Sequence, residues 1–537
     1  MSDTYANRLK WEKPAYPVGV SAPPSSIIGD GDFVDEGGGA ANAAFAATGV
    51  QPRAATMMEK MLWTVGVPTG STPEARSSPV LEARDLLRAA AEIEHGLLVQ
   101  YLYGAYTCTN PVHRSVLLQI AREEMAHLIS VQNLLLAIGG HPYFGRDNFP
   151  TAPSDDETFP FALTFEPLSL DFLAKFVVAE SPPLEYIKDK GLKGRVQPVI
   201  RLGEKAAHQT INHVGALYVA LYWLFKTDDS KPAEWLGYPL AMVQSVHRKL
   251  ERNNWHVPNE AFVSKEELED RQASNDNPGE NWNKGDDRLI VHPVMFSATG
   301  EADRAAVLNT LFKIAEQGEG WNVSTSEDPD AKSHFIRLLE TFESVQALPA
   351  GSLIALDVPT NPTAFVPTAD GFIANKEANL WAQIFNARYR IALLKLNLAL
   401  ASPRSLDLGT VDGRGQLISD AIATEMKSNL RNIALALIKM RRSGVPADGV
   451  ATKRAAPPFE LPTGSLPNLV DLDPDPKIAE IRAIKLLRRV LRDALDDTAD
   501  LVNRLHALPP EEIESQDRLV ILDDIVAADV ALRTALA

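Results

Sequence analysis

The sequence predicts an all-α protein, and three observations carry that expectation. Apolar residues recur at helical spacing over long stretches, as in Ile478, Ile481, Ile484, Leu487, Leu491 and Leu495. First-turn prolines open such stretches and glycines stop them, as Pro111 and Gly139-Gly140 do for one of them. No strand-type alternation is long enough for a substantial sheet, and neither a P-loop nor a dinucleotide fingerprint is present.

A chain of 537 residues exceeds one simple core and predicts two or three packed units. Its 45% hydrophobic and 23% charged residues are ordinary for a globular protein. The formal charge of −17 argues against nucleic acid or an anionic membrane as partner, since both need basic surface. The single cysteine, Cys108, excludes an intrachain disulfide framework and a Cys-rich metal site. With no signal pattern and no membrane-length apolar run, the expected location is the cytoplasm.

Taken in order, residues 1–77 are rich in Gly, Ala, Pro and Ser around Gly37-Gly38-Gly39 and read as an extended arm with one short helix near Met57–Val65. Such an arm either wraps a neighbouring subunit, giving a homo-oligomer, or is a disordered tail. Helices are expected over about 79–108 and 111–138, joined by so short a link that they pack antiparallel. A Pro-rich stretch over 141–167, a short helix over 169–180 and a long helix over about 196–225 follow. Residues 226–300 read as polar and broken, with a surface loop at Asn275–Asp287. A helix from about Glu301 ends near Gly318 and Gly320, and another covers about 331–346. Further helices are expected over 375–401, 413–442, 475–507 and 510–535. The expected units are the arm (1–77), a helical bundle (78–346), a helical extension (347–470) and a C-terminal helix pair (471–537). The stripe from Ile478 to Leu495 reads as core or subunit interface.

Acids inside the first two long helices carry the chemistry. Residues three, four and seven apart share a helix face. Around Glu94 those neighbours are Leu87, Ala90, Ala91, Leu97, Leu98 and Tyr101, so Glu94 points into the bundle. Around Glu92 they include Asp85, Arg88 and His95, so Glu92 and His95 are expected as a solvated pair. Glu124 shares its stripe with Leu117, Ile120, Ala121, His127, Leu128 and Val131, and Glu123 lies at the stripe's border. Ionised carboxylates inside a helical core need a compensating positive charge, from a metal ion or an internal ion pair. Glu124 and His127, three apart, can meet one ion. Glu316 and Glu319 lie a turn beyond apolar residues of a later helix, and His334 opens the next. Tyr101, on the Glu94 stripe, is the candidate catalytic side chain, as a donor or redox-active group, against the simpler reading of a packed aromatic.

The chain resembles the ferritin-like domain named for iminophenyl-pyruvate dimer synthases. That domain also occurs in large enzymes coupling amino-acid-derived imines in violacein- and rebeccamycin-type pigment pathways. The resemblance lies in Glu92-Ile93-Glu94-His95, Tyr101-Leu102-Tyr103, Glu123-Glu124-Met125-Ala126-His127-Leu128, Asn133–Gly140, Ala179-Glu180-Ser181-Pro182, Gln317-Gly318-Glu319-Gly320 and Ser333-His334-Phe335. Ala387-Arg388-Tyr389 and Ala456-Pro457-Pro458-Phe459-Glu460 are weaker echoes, and the whole covers about 78–462. It implies a ferritin-like four-helix bundle, here with long insertions and additional C-terminal helices. It also implies a metal centre of Glu94, Glu124, His127, Glu319 and His334, with Glu316 a further candidate. The implied metal is iron (Fe2+/Fe3+), mononuclear or dinuclear, with manganese and zinc as alternatives. Where the family reads Ile-Gly-Glu-Leu-Tyr, this chain has Val214-Gly215-Ala216-Leu217-Tyr218, which removes one acid. His213 either replaces it or bonds to Glu180 or a backbone carbonyl.

Three functions follow as expectations. One is a metal-dependent oxidoreductase of secondary metabolism, using dioxygen or peroxide on a small amino-acid-derived or aromatic metabolite. The second is an imine-coupling enzyme whose bundle only shapes a pocket. The third is a non-enzymatic binding or assembly protein with a degenerate metal site, which Ala216 supports.

Overall fold

Four helices close on one another in a ring. Helix α1 (Pro79–Thr107) packs on α2 (Pro111–Ala137), α2 on α8 (Arg304–Glu319), α8 on α5 (Val214–Phe225), and α5 back on α1. The computed structural model describes residues 9–12, 67–70, 72–146, 160–227, 234–235, 238–277, 280, 282–283, 288–295, 304–319, 332–404, 413–443, 453–462, 464–470, 472–473, 475–513 and 519–536. The helix expected near Met57–Val65 lies outside them.

The boundaries of α1 and α2 have local causes. Ser78 accepts from the Val80 N–H, with Pro79 at the first helical position. Asn110 accepts from the N–H groups of Val112 and His113, with Pro111 behind it. The short link between the helices leaves them antiparallel. Gly139 ends α2 at φ +66, a left-handed conformation that costs glycine little.

Helix α3 (Leu170–Glu180) packs on α4 (Lys190–Ala207) and on α9 (His334–Gln346), which also reaches α2 and α8. The single helix expected over 196–225 is therefore two. His208 turns left-handed at φ 56 and ends α4. Beyond it, the Asn212 N–H bonds to the Pro160 carbonyl, and His213 Nδ1 donates to the Ser181 carbonyl at 2.6 Å. Tertiary partners take the hydrogen bonds that a continuous helix would have used.

The described residues within 226–300 are more structured than expected, holding α6 (Ala241–Lys249) and α7 (Lys265–Glu269). Within the expected surface loop, Trp282 is buried, and its indole N–H donates to Glu280 Oε2 at 2.9 Å. Arg414 pairs with that same carboxylate. The described strands are short antiparallel pairs, Leu9–Glu12 with Val67–Gly70 and Glu234–Trp235 with Tyr238–Pro239.

In the C-terminal part, α10 (Lys376–Ala401) packs against α11 (Gly413–Ser419), an eleven-residue π-helical segment (Asp420–Leu430), α12 (Arg431–Leu437) and α13 (Pro476–His506). Helix α14 (Leu519–Leu536) packs on α13. The α13 stripe is buried at Leu487, Leu491 and Leu495 but exposed at Ile478 and Ile481. Among the described residues, no helix is long and apolar enough to cross a membrane.

Candidate metal centre

Helix α1 places Glu94, and α2 places Glu124 and His127, in the interior of the ring, all buried. Helix α3 brings Glu180 at its last residue, and α9 brings His334 at its first, where Ser333 caps the helix. The groups meet closely. His127 Nδ1 lies 2.9 Å from Glu124 Oε2 and 3.4 Å from Glu94 Oε2. His334 Nδ1 lies 3.0 Å from Glu124 Oε1 and 4.0 Å from Glu180 Oε2. One ligand atom each from Glu124, His127 and His334 fall within 4.8 Å of one another.

The outer nitrogens of both imidazoles face acceptors. His334 Nε2 is 2.9 Å from Glu123 Oε2, a carboxylate also held by Arg337 and, at 3.3 Å, by Arg288. His127 Nε2 is 2.9 Å from Gln317 Oε1. Each imidazole that donates outward turns a bare nitrogen lone pair toward carboxylate oxygens. Glu124 Oε1 and His334 Nδ1 face each other without a hydrogen-bond partner. Only a cation between them, or a second proton on each ring, makes such an arrangement favourable. A carboxylate or amide that fixes the outer nitrogen is the usual support of a metal-bound histidine. Oxygen and imidazole donors suit Fe(II), Mn(II) or Zn(II). The donor set therefore fits the implied metal.

Without an ion, protons take its place. Burial and the neighbouring Glu124 charge push Glu94 up to about 7. Burial and Glu124 likewise raise Glu180 to about 8. Burial opposes charge on Glu124 too, but His334 and His127 outweigh it and hold that carboxyl far below the usual range. Burial disfavours charged imidazoles, yet the carboxylates raise His334 to about 9 and His127 well above its ordinary value.

Two tyrosines brace the acids. Tyr101 donates to Glu180 Oε1 at 2.6 Å, and Tyr218 donates to Glu94 Oε1. A cavity of about 10 Å3, room for one water-sized sphere, is bounded by Glu94, Glu124, His127, Glu180, Tyr218 and Gly318 among others.

Several expectations need correction. Glu316 is exposed on α8, because its helical phase turns it outward, and it is not a ligand. The side chain of Glu319 lies outside the described residues. Of the two readings left open for His213, the structure shows the bond to a backbone carbonyl, that of Ser181. Glu92 and His95 are not a solvated pair, since both are 0% exposed. Glu92 accepts from the Tyr143 hydroxyl, and His95 Nε2 meets the Tyr389 hydroxyl. Their helix face is mixed in polarity, but the segment after α2 and helix α10 cover it.

Sequence reasoning ranked Glu180, Glu123, Gln317 and Tyr218 too low. Glu180 did carry a signal, an acid directly after the apolar Phe176-Val177-Val178-Ala179 run and before Ser181-Pro182-Pro183. Glu123 and Gln317 act through partners distant in sequence, which helical phase does not reveal.

Residues 87–343 match the family model described as Ferritin-like, and they form a ferritin-like domain. More particularly, the chain is similar, at a distance, to a dimerase and a synthase. It is 30% identical over 126 residues to the 2-imino-3-(indol-3-yl)propanoate dimerase of Chromobacterium violaceum, covering 18% of this chain and 13% of that protein. It is 26% identical over 359 residues to the dichlorochromopyrrolate synthase of Lentzea aerocolonigenes, covering 58% of this chain and 30% of that protein. The chain thus spans less than a third of either relative. A solved ferritin-like protein from Caulobacter vibrioides aligns with TM-score 0.33 and 16% identity, covering 66% of this chain and 93% of that one.

Proposed function

We propose that this chain is a metal-dependent oxidoreductase acting on a small amino-acid-derived or aromatic metabolite. Its ferritin-like domain would hold a divalent ion, iron foremost, through Glu94, Glu124, His127 and His334, with Glu180 beside them. The observation that carries this reading is the pair of imidazoles, each with its outer nitrogen at an acceptor and its inner nitrogen aimed at carboxylate oxygens. Bound iron would supply one-electron chemistry with dioxygen or peroxide. The chain's own residues orient and seal the site. Tyr218 and Tyr101 fix the Glu94 and Glu180 carboxylates, while Leu97, Val214 and Ile314 help to exclude water. The substrate class is drawn from the names of the distant relatives.

Elemental analysis of protein purified without chelators tests the reading. Bound metal is expected in the natural chain and is lost in Glu124→Ala and His127→Ala. A metal-free chain that stays inert after anaerobic Fe(II) loading would refute it.

One observation favours a second reading, imine coupling away from the metal. A cavity of about 10 Å3 at the acids has no room for an aromatic metabolite. Turnover that survives chelation, with an amino-acid oxidase supplying the imine, would support coupling over oxidation.

A further inference from the structure

Helix α1 carries a second buried polar cluster, on the side opposite Glu94. Glu92 there meets Tyr143 of the segment after α2, and His95 meets Tyr389 of α10. Arg146 Nε donates to the Tyr389 hydroxyl at 3.0 Å, and Tyr389 in turn pairs with His95 Nε2. Arg146 Nη2 donates to the Phe459 carbonyl, and its guanidinium carbon lies 5.5 Å from the centre of the Tyr389 ring. Phe459 sits at φ 47, an unfavourable conformation for a bulky residue. The following residue clamps it there. Glu460 accepts from the Ala364 N–H at 3.0 Å and from Asn386 Nδ2 at 2.8 Å, and its own N–H donates to Asn386 Oδ1 at 2.9 Å. The scaffold thus fixes Arg146 in direction.

Beside this cluster lies a cavity of about 230 Å3. Arg88 and Arg146 line it against the single acid Glu92, so its local balance is positive. Tyr143, Phe144, Pro142 and Leu461 give it apolar, partly aromatic walls. Asn397 also lines it, 2% exposed, with its Oδ1 lacking any hydrogen-bond partner. The size falls below the roughly 300–1,000 Å3 of drug-sized pockets, which selects a small molecule.

We propose that this cavity binds a small carboxylate with a planar apolar body and a hydrogen-bond donor. Guanidinium groups match a carboxylate through charge and paired N–H donors. The aromatic and proline walls take the apolar body. Asn397 Oδ1 accepts from the ligand's N–H or O–H, which satisfies an otherwise orphaned buried atom. The site does not depend on the metal centre, because Glu92 and Glu94 leave α1 in opposite directions.

Calorimetric titration of the full chain tests this with L-phenylalanine, 3-phenylpropionate, 2-phenylethylamine and inorganic phosphate. Both carboxylates are expected to bind once per chain, and the amine and phosphate at least tenfold more weakly. Arg88 is partly exposed, so Arg88→Met should fold. That variant is expected to weaken both carboxylates at least tenfold with unchanged metal content. Asn397→Leu is expected to weaken L-phenylalanine more than 3-phenylpropionate, which lacks the donor. The proposal is overturned if 2-phenylethylamine or phosphate binds as tightly as the carboxylates, or if Arg88→Met binds them unchanged. Because the titration can be repeated on metal-depleted protein, its outcome is separate from that of the metal reading.

Discussion

At the scale of single residues, the centre is a competition between protons and a cation for the same lone pairs. In the metal-free chain Glu94, Glu180 and His334 all titrate high, at about 7, about 8 and about 9. A group raised on folding stabilises the fold fully below its unfolded value and loses that contribution as pH rises through the folded value. Metal-free protein should therefore lose stability progressively from above the ordinary carboxylate range up to about pH 9. Glu123 and Glu124 run the other way. His334 and other positive partners hold them low against burial, so their contribution is present above the ordinary carboxylate range and fades only in acid. A divalent ion displaces the protons on the raised groups. Thermal melting with and without Fe(II) under anaerobic conditions should show larger stabilisation by metal at about pH 9 than at about pH 6. Equal shifts at both values would mean that the ion binds elsewhere.

At the scale of elements, α1 shows why helical phase succeeded on one side and failed on the other. Around Glu94 the sequence neighbours are apolar, so its inward direction is legible without partners. Around Glu92 they are mixed; Tyr143 donates to its carboxylate, and the adjoining His95 is met by Tyr389, some three hundred residues away. Phase reports the polarity of a face but not what later covers it. The split of the expected 196–225 helix has the same origin, since His213 and Asn212 bond to residues outside it. Helix ends were legible where the signal was local. Gly139 at φ +66 closes α2, and the Arg84 guanidinium bonds to the neighbouring Ile138 carbonyl. A Cβ on Gly139 would lie 3.1 Å from Arg84 Nη2 as well as strain the backbone. Gly139→Ala is expected to cost about 1–2 kcal/mol in urea denaturation while sparing metal binding. A neutral result would mean that the turn relaxes.

At the scale of the molecule, buried charge ties the C-terminal helices together. Glu425 on the π-helical segment accepts from Arg388 Nε at 2.9 Å, Lys395 Nζ at 2.8 Å and Asn429 Nδ2 at 3.0 Å. Arg388 also holds Asp529 of α14. Burial opposes the Glu425 charge, but Lys395 and Arg388 outweigh it and bring its value down to about 2. Its contribution is thus present above the ordinary carboxylate value and lost as pH falls toward about 2. Glu425→Gln leaves two buried cations with too little counter-charge and is expected to cost about 3–5 kcal/mol, read by denaturant unfolding at neutral pH. A loss under about 1 kcal/mol would mean that the network is hydrated rather than load-carrying. The all-helical class was legible because periodicity and caps are local properties. The network was not, because Arg388, Glu425 and Asp529 sit in three separate helices with nothing in their spacing to join them.

The central claim is that Glu124, His127 and His334 share a metal ion. Anomalous scattering from crystals of the protein as isolated tests it most directly. The expected result is a metal peak within about 2.0–2.2 Å of His127 Nδ1 and His334 Nδ1, between the Glu94 and Glu124 carboxylates. Well-ordered imidazoles hydrogen-bonded directly to Glu124, with no anomalous peak even after anaerobic Fe(II) soaking, would contradict it.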